Sequence, residues 1–141
     1  MQFTLFISPK AQKRARSRAF RMGNKVIAQT YKDSTQRQEE EKLITLLYAH
    51  KPSVPLQEAL RLHIRAFLPI PKSKPKKWLS KALQGNIRPT SKPDCDNLAK
   101  QLLDVMNGVF FVDDRQIVSL VIEKHYAEVP RWEVELYEVQ L

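Results

Sequence analysis

The chain has 141 residues, enough for one domain with a buried core and too few for two independent ones. Hydrophobic residues make up 43% and charged residues 28%, a globular balance that excludes wholesale disorder, while nine Pro and only three Gly leave little material for a glycine-rich phosphate cradle. With 24 Lys and Arg against 15 Asp and Glu, the net charge is +9, which favours a polyanionic partner because each base set near a phosphate releases a counterion.

The segment Gln2 to Ile7 reads as a short edge strand. Pro9 and a basic run, Lys10 to Lys25, follow it; the run holds seven Lys or Arg and reads as a loop or long turn. This apolar-then-basic order is the reverse of a secretory signal, and no apolar run approaches the ~20 residues that span a bilayer. Lys25 to Tyr31 reads as a second strand, forming a hairpin with the first across the basic loop. From Ser34, early acids and then Leu43, Leu46 and Leu47 give a helix that stops before Pro52.

Leu60, Leu62, Ile64, Ala66 and Leu68 alternate with Arg61, His63, Arg65 and Phe67, the period of a strand with one buried face. A second basic cluster, Lys72, Lys74, Lys76, Lys77 and Lys81, is broken by Pro71 and Pro75, and Pro75 opens a short helix that runs to Leu83. Asn86 to Lys92 reads as an exposed polar connection. Leu98, Leu102, Val105, Met106 and Val109 then form the apolar stripe of a helix stopped by Asn107 and Gly108. A brief strand at Phe110 to Val112 and two longer β-rich runs, Gln116 to Tyr126 and Arg131 to Val139, complete the chain. The expected fold is α+β: a single compact domain over residues 1–141, with a mixed β-sheet and two or three helices.

Charge divides this sequence. Residues 1–93 carry 20 bases and 5 acids, whereas residues 94–141 carry 4 bases and 10 acids. Asp94 and Asp96 flank the start of the last helix, and Lys100 and Asp104 follow Asp96 at successive steps of four, on the face opposite the apolar stripe. Asp113 and Asp114 could return toward that helix start through sheet pairing. Three carboxylates gathered at one point repel unless a cation joins them, and Mg²⁺ takes hard oxygen ligands of this kind. The alternative is structural: Asp94 and Asp96 as helix-start residues, Asp113 and Asp114 as a turn, Lys100 as a solvated lysine paired with Asp96 or Asp104. His50, His63 and His125 have no metal-ligand spacing, and the lone Cys95 has no partner for a disulfide or a zinc site, which fits a reducing cytoplasmic compartment.

The run Lys92-Pro93-Asp94-Cys95-Asp96-Asn97-Leu98-Ala99-Lys100, followed by Asp104, Asn107-Gly108 and Val112-Asp113-Asp114-Arg115-Gln116-Ile117-Val118, resembles the signature of the RusA-type Holliday junction resolvases. The resemblance is specific over residues 92–126 and loose in the basic front half. It implies a RusA-like fold and a Mg²⁺-dependent endodeoxyribonuclease, with Mn²⁺ as a substitute ion, that resolves four-way or other branched DNA as a homodimer by paired nicks on opposed strands. It further implies catalytic roles for Asp94, Asp96, Asp114 and Lys100, with the three Asp as metal ligands, and a prophage setting. Lys10, Lys13, Arg14, Arg16, Lys72, Lys74, Lys76 and Lys77 are the expected DNA contacts, binding phosphate rather than bases. The β-rich tail, Gln116 to Val139, is the expected dimer interface. Neither a membrane nor a small-molecule cofactor is expected. The competing readings are a non-catalytic nucleic-acid-binding protein, whose binding would survive chelation, and a related nuclease acting on flaps or forks.

Overall fold

The computed structural model describes residues 1–10, 16–23, 25–31 and 34–140. Its centre is strand β4, Leu60–Pro69, whose alternation works as the sequence predicts: Leu60, Leu62, Ile64 and Ala66 are fully buried, with His63, Arg65 and Phe67 on the opposite face. Around it a four-stranded mixed sheet runs in the order β1 (Gln2–Leu5), β6 (Arg131–Glu138), β4, β5 (Ile117–Ala127). β6 pairs antiparallel with both β1 and β4, and β5 lies parallel to β4. That parallel pairing requires a crossover. The crossover carries two helices, α2 (Lys76–Leu83) and α3 (Cys95–Met106).

One face of the sheet is covered by α3 and by α1 (Ser34–Tyr48). Leu43 and Leu47 of α1 and Leu98, Ala99, Leu102 and Met106 of α3 meet Phe3, Leu5, Trp132, Val134 and Leu136 in a single core. Full burial of a side chain such as Leu98 or Ile64 contributes ~1.5–3 kcal/mol, so the α3 stripe is anchored by the strongest force available to it. The predicted stripe is met at Leu98, Leu102 and Met106, with Val105 and Val109 partly buried at its margin. Gly108 ends the helix at φ +79°, in the left-handed region that costs other residues ~1 kcal/mol or more.

Three expectations are corrected. The basic segment after Pro9 is not all loop: Arg16–Met22 forms a strand, β2, paired antiparallel with β3 (Lys25–Tyr31) around Gly23 at φ +62°. The expected hairpin between Gln2–Ile7 and Lys25–Tyr31 therefore does not form; β1 pairs with β6, where Phe3 and Leu5 reach the core. The ladder is made by backbone groups, so a cation-rich segment can still hold one. Phe110 to Val112 is not a strand either: it makes only isolated bridges, from Phe111 to Leu56 and to Asn107, and both phenylalanines are fully buried in the core.

Candidate active site

α3 begins beside the far end of β5. Lys124 stands in register with Ala66, on the helix-covered face in phase with Leu120, Ile122 and Tyr126. Alanine leaves room above the sheet, and the lysine stem crosses it to donate from Nζ to the carbonyls of Ser91 (2.8 Å) and Pro93 (2.9 Å). Arg88 fastens the same connection by donating from Nε to the Lys124 carbonyl at 2.9 Å. These three bonds clamp the strap, residues 88–93, that delivers Asp94. A cleft of about 350 Å³ opens beside this strap, lined among others by Lys10, Lys92, Pro93 and Tyr126.

Asp94 is the N-cap residue of α3, in an extended conformation, yet its carboxylate makes no capping bond. Its carbonyl alone serves the helix, accepting from the Leu98 amide at 3.1 Å. Asp96 sits in the first turn and Lys100 one turn on. All three are exposed, and none makes a side-chain hydrogen bond or ion pair with another described residue. A cap that does not cap and a same-face pair, Asp96 and Lys100, that does not close are departures from the structural alternative, in which these groups satisfy one another. What remains is a helix N-terminus, already positive by its dipole, carrying two free carboxylates with an ammonium nearby. Cys95, between them, is a free thiol.

The second acidic pair behaves differently. Asp113 caps a 3-10 turn, Asp114–Gln116, accepting from the Arg115 amide at 3.0 Å, while Gln116 accepts from the Asp113 amide at 2.8 Å. That amide bond from Arg115 holds the Asp113 carboxyl below the usual carboxylate range; slight burial opposes it, and the Arg115 guanidinium and the Asp114 side chain reinforce it. Gln116 Nε2 donates to the carbonyls of Leu56 (2.9 Å) and Glu58 (3.0 Å), which pins the turn to the start of β4. Asp114 is exposed beside it.

The two acidic groups do not meet within one chain. α3 runs antiparallel to β5, and its 12 residues span ~18 Å. Asp94 and Asp96 lie at the Lys124 end of that span, and Asp113 and Asp114 at the Leu56 end. Among the described residues no group of three or more His, Cys, Asp or Glu is placed to hold a metal ion. The donor chemistry of Asp94 and Asp96, unpaired hard oxygens, fits a divalent ion; Asp114 cannot join them from its own chain. Asp104 is exposed on α3.

The basic residues are spread over the surface around the strap. Lys72, Lys74, Lys76 and Lys77 are exposed at and before the start of α2, with the Lys74 ammonium 5.2 Å from the Trp78 ring centroid. Trp78 itself packs edge-on against Tyr126. Lys10 is not free: its Nζ lies 2.6 Å from Glu39 of α1. Lys13 and Arg14 lie outside the described residues, and Arg16 is described as the first residue of β2.

Sequence reasoning missed Lys124, Arg88 and a charged network on the open face of the sheet. There His63 meets Glu123 in a short contact and lies 3.7 Å from Glu135; His125 reaches Glu123 at 3.2 Å, and Arg65 reaches Glu135 at 3.3 Å. His50 stacks on Phe3 instead, as a packing residue. The signal for Lys124 is a lysine in phase with apolar residues on a strand, which must either be wrong for the register or reach for a partner.

Residues 7–137 match the family model described as endodeoxyribonuclease RusA. A protein of Bacillus subtilis (strain 168), YqaN, described as uncharacterized, is 34% identical over 142 residues, covering 99% of this chain and 96% of its own.

Proposed function

This chain belongs to the endodeoxyribonuclease RusA family, DNA-hydrolysing enzymes of branched substrates, and on that premise we propose that it is a Mg²⁺-dependent Holliday junction resolvase that cuts opposed strands in pairs as a homodimer. The observation that carries this reading is the pair of carboxylates, Asp94 and Asp96, unpaired among the described residues at a helix start where an ordinary cap would have used them.

Asp94 and Asp96 would hold the divalent ion, with Asp114 of the second protomer of the homodimer as a third donor. Once held there, Mg²⁺, or Mn²⁺ in its place, would supply a nucleophilic water at neutral pH and offset charge on the phosphate. The chain's own residues do the rest. The free amides of the first turn of α3 and its dipole favour a phosphate at this end of the helix. Lys100, one turn below Asp96, faces the non-bridging oxygens and stabilises the charge that develops as one P–O bond forms and the other breaks. Clamping of the strap by Lys124 and Arg88 fixes where Asp94 stands, so the donors are ordered before DNA arrives. Lys72, Lys74, Lys76 and Lys77 hold the duplex arms by their phosphates, which gives affinity without base readout and a steep dependence on salt. Paired nicks need two centres related by symmetry, because an open four-way junction is itself close to two-fold symmetric.

No helix of the described residues is long and apolar enough to cross a membrane, in keeping with a cytoplasmic setting for an enzyme of DNA. The test compares a labelled four-way junction, a fork, a flap and a linear duplex under identical Mg²⁺ and salt. The junction is expected to be cut at least tenfold faster than the others. Equal rates on fork or flap would replace the resolvase assignment with a flap or fork nuclease.

A further inference from the structure

The strap that delivers Asp94 is also tied to the open face of the sheet, by way of Arg88. Its Nε donates to the Lys124 carbonyl, and its Nη2 lies 3.4 Å from His125 Nε2 and 3.8 Å from Glu123 Oε1. His125 Nε2 is itself 3.2 Å from that same Glu123 oxygen. Three side chains thus meet around one ring nitrogen, which has either a lone pair to accept with or a proton to donate, never both.

The surroundings leave that nitrogen to Arg88 and Glu123. The His125 ring stacks on Phe67 of β4 at a centroid distance of 5.1 Å, and Phe67 carries the Arg131 guanidinium of β6 at 4.0 Å. The other charged groups of this corner are committed elsewhere: His63 of β4 takes Glu123 Oε2, Arg65 of β4 reaches Glu135 of β6, and Arg131 holds Glu133. Burial, then the Arg88 charge, keeps the imidazole below its ordinary value against the pull of Glu123. At neutral pH the ring is therefore uncharged, and Nε2 can accept from Arg88. A proton taken from solvent reverses this: Nε2 donates to Glu123, and Arg88 loses an acceptor and faces a second cation in the same event.

We propose that His125 is a positioning residue for the carboxylates at the start of α3, acting through Arg88: uncharged, it helps seat the guanidinium that grips the strap, and protonated, it displaces that guanidinium and loosens the backbone that carries Asp94. This control rests on the nuclease reading above and deepens it, because it sets the affinity of the same site for a divalent ion. The hold is complete at neutral pH and above and is lost as pH falls through the His125 titration, below about pH 6.5. Linkage makes the effect reciprocal, so an ion held at Asp94 and Asp96 makes His125 harder to protonate.

The test measures the Mg²⁺ concentration for half-maximal cleavage of a labelled four-way junction between about pH 5 and pH 8, the range in which a histidine titrates, for wild type and His125→Gln. Protonation of Asp94 and Asp96 falls on both proteins alike, so the gap between their profiles reports His125. The wild-type requirement should rise toward acid about fivefold more than that of His125→Gln, whose amide cannot take up the charge. Parallel profiles would overturn the proposal and leave the nuclease assignment standing. A second readout does not depend on cleavage: the His125 ring, followed by NMR in the wild-type protein, should titrate at lower pH with saturating Mg²⁺ than without it, and Asp94→Asn should abolish the difference. A titration that Mg²⁺ does not move, or one that it moves equally in Asp94→Asn, would overturn the coupling. Failure of the wild type to cut at any pH would remove the nuclease reading instead, and the NMR titration would then decide the coupling by itself.

Discussion

The two ends of α3 are built from similar residues to opposite effect. Beyond its C-terminus, Asp113, Arg115 and Gln116 are tied to one another and to the carbonyls of Leu56 and Glu58, so the polar groups there fix the chain. At its N-terminus the fixing is delegated to Lys124 and Arg88, which grip the main chain of the strap and leave Asp94 and Asp96 without partners among the described residues. A carboxylate that caps a turn is satisfied and therefore poorly available to a ligand; one held in place through its backbone keeps its oxygens free. One helix thus leads from exposed acids at its start to a structural acid in the turn beyond its end.

The sharpest way to break that contrast is to neutralise each end. Asp94→Asn or Asp96→Asn should lower junction cleavage by about 10²-fold or more, the scale for losing a group that acts on developing charge. Junction binding, measured by gel shift, should hold or tighten, because an acid that repels phosphate has been removed. Cleavage within a few-fold of wild type would show that these oxygens are not used.

Releasing the strap should act through the same carboxylates without touching them. Lys124→Met keeps the stem and removes the bonds to Ser91 and Pro93. The Mg²⁺ concentration for half-maximal cleavage should rise about 10-fold to 100-fold, with partial rescue in Lys124→Arg, as expected for a group that orients a metal ligand. An unchanged Mg²⁺ requirement would make Lys124 a packing residue only.

At the other end the effect should fall on stability. Gln116→Ala removes one acceptor and two donor bonds, taking the side-chain partner from the Asp113 amide and leaving the Leu56 carbonyl only the Val112 amide, at a cost of about 1–3 kcal/mol in denaturant unfolding. The Mg²⁺ requirement should stay within twofold of wild type. A large shift in that requirement with little loss of stability would reverse the assignment of the two ends.

The smallest effect concerns the open face of the sheet. Burial, with Arg88 nearby, pushes the His125 imidazole below its ordinary value despite the opposing pull of Glu123. The hydrogen bond with His63, aided by His125, holds Glu123 below the usual carboxylate range against slight burial. Both shifts have the same sign. The unfolded chain takes up each proton first, so stability is complete above about pH 6.5, declines as His125 begins to titrate below it, and falls again under about pH 4.3 as Glu123 does. His125→Gln should flatten the upper part of this profile in denaturant melts at a series of pH values, leaving the lower part in place.

Much of this molecule is legible in its sequence because burial imposes a period. Leu60 to Leu68 and the Leu98, Leu102, Met106 stripe could be assigned by spacing alone, and Asn107-Gly108 by its turn chemistry. Partner choice between strands leaves no such trace. That β1 joins β6, and that the basic segment holds a strand, depend on contacts over a hundred residues or on pairing that charge does not encode. The acidic residues were likewise identifiable by type and by the motif they share with the RusA-type resolvases, whereas their separation along α3 follows only once Lys124 and Gln116 are seen to fasten opposite ends of the helix. The clamp itself is marked in the sequence by one anomaly, a lysine on the apolar phase of β5.

The central claim, that free carboxylates at the start of α3 make this protein a metal-dependent nuclease, is tested most directly by single-turnover cleavage of an end-labelled four-way junction across a Mg²⁺ titration, with a chelator as the zero point. Cuts at symmetric positions on two opposed strands that grow with Mg²⁺ and vanish with the chelator are the predicted result. Undiminished cutting in the chelator, or tight junction binding with no cleavage at any Mg²⁺ concentration, would contradict it.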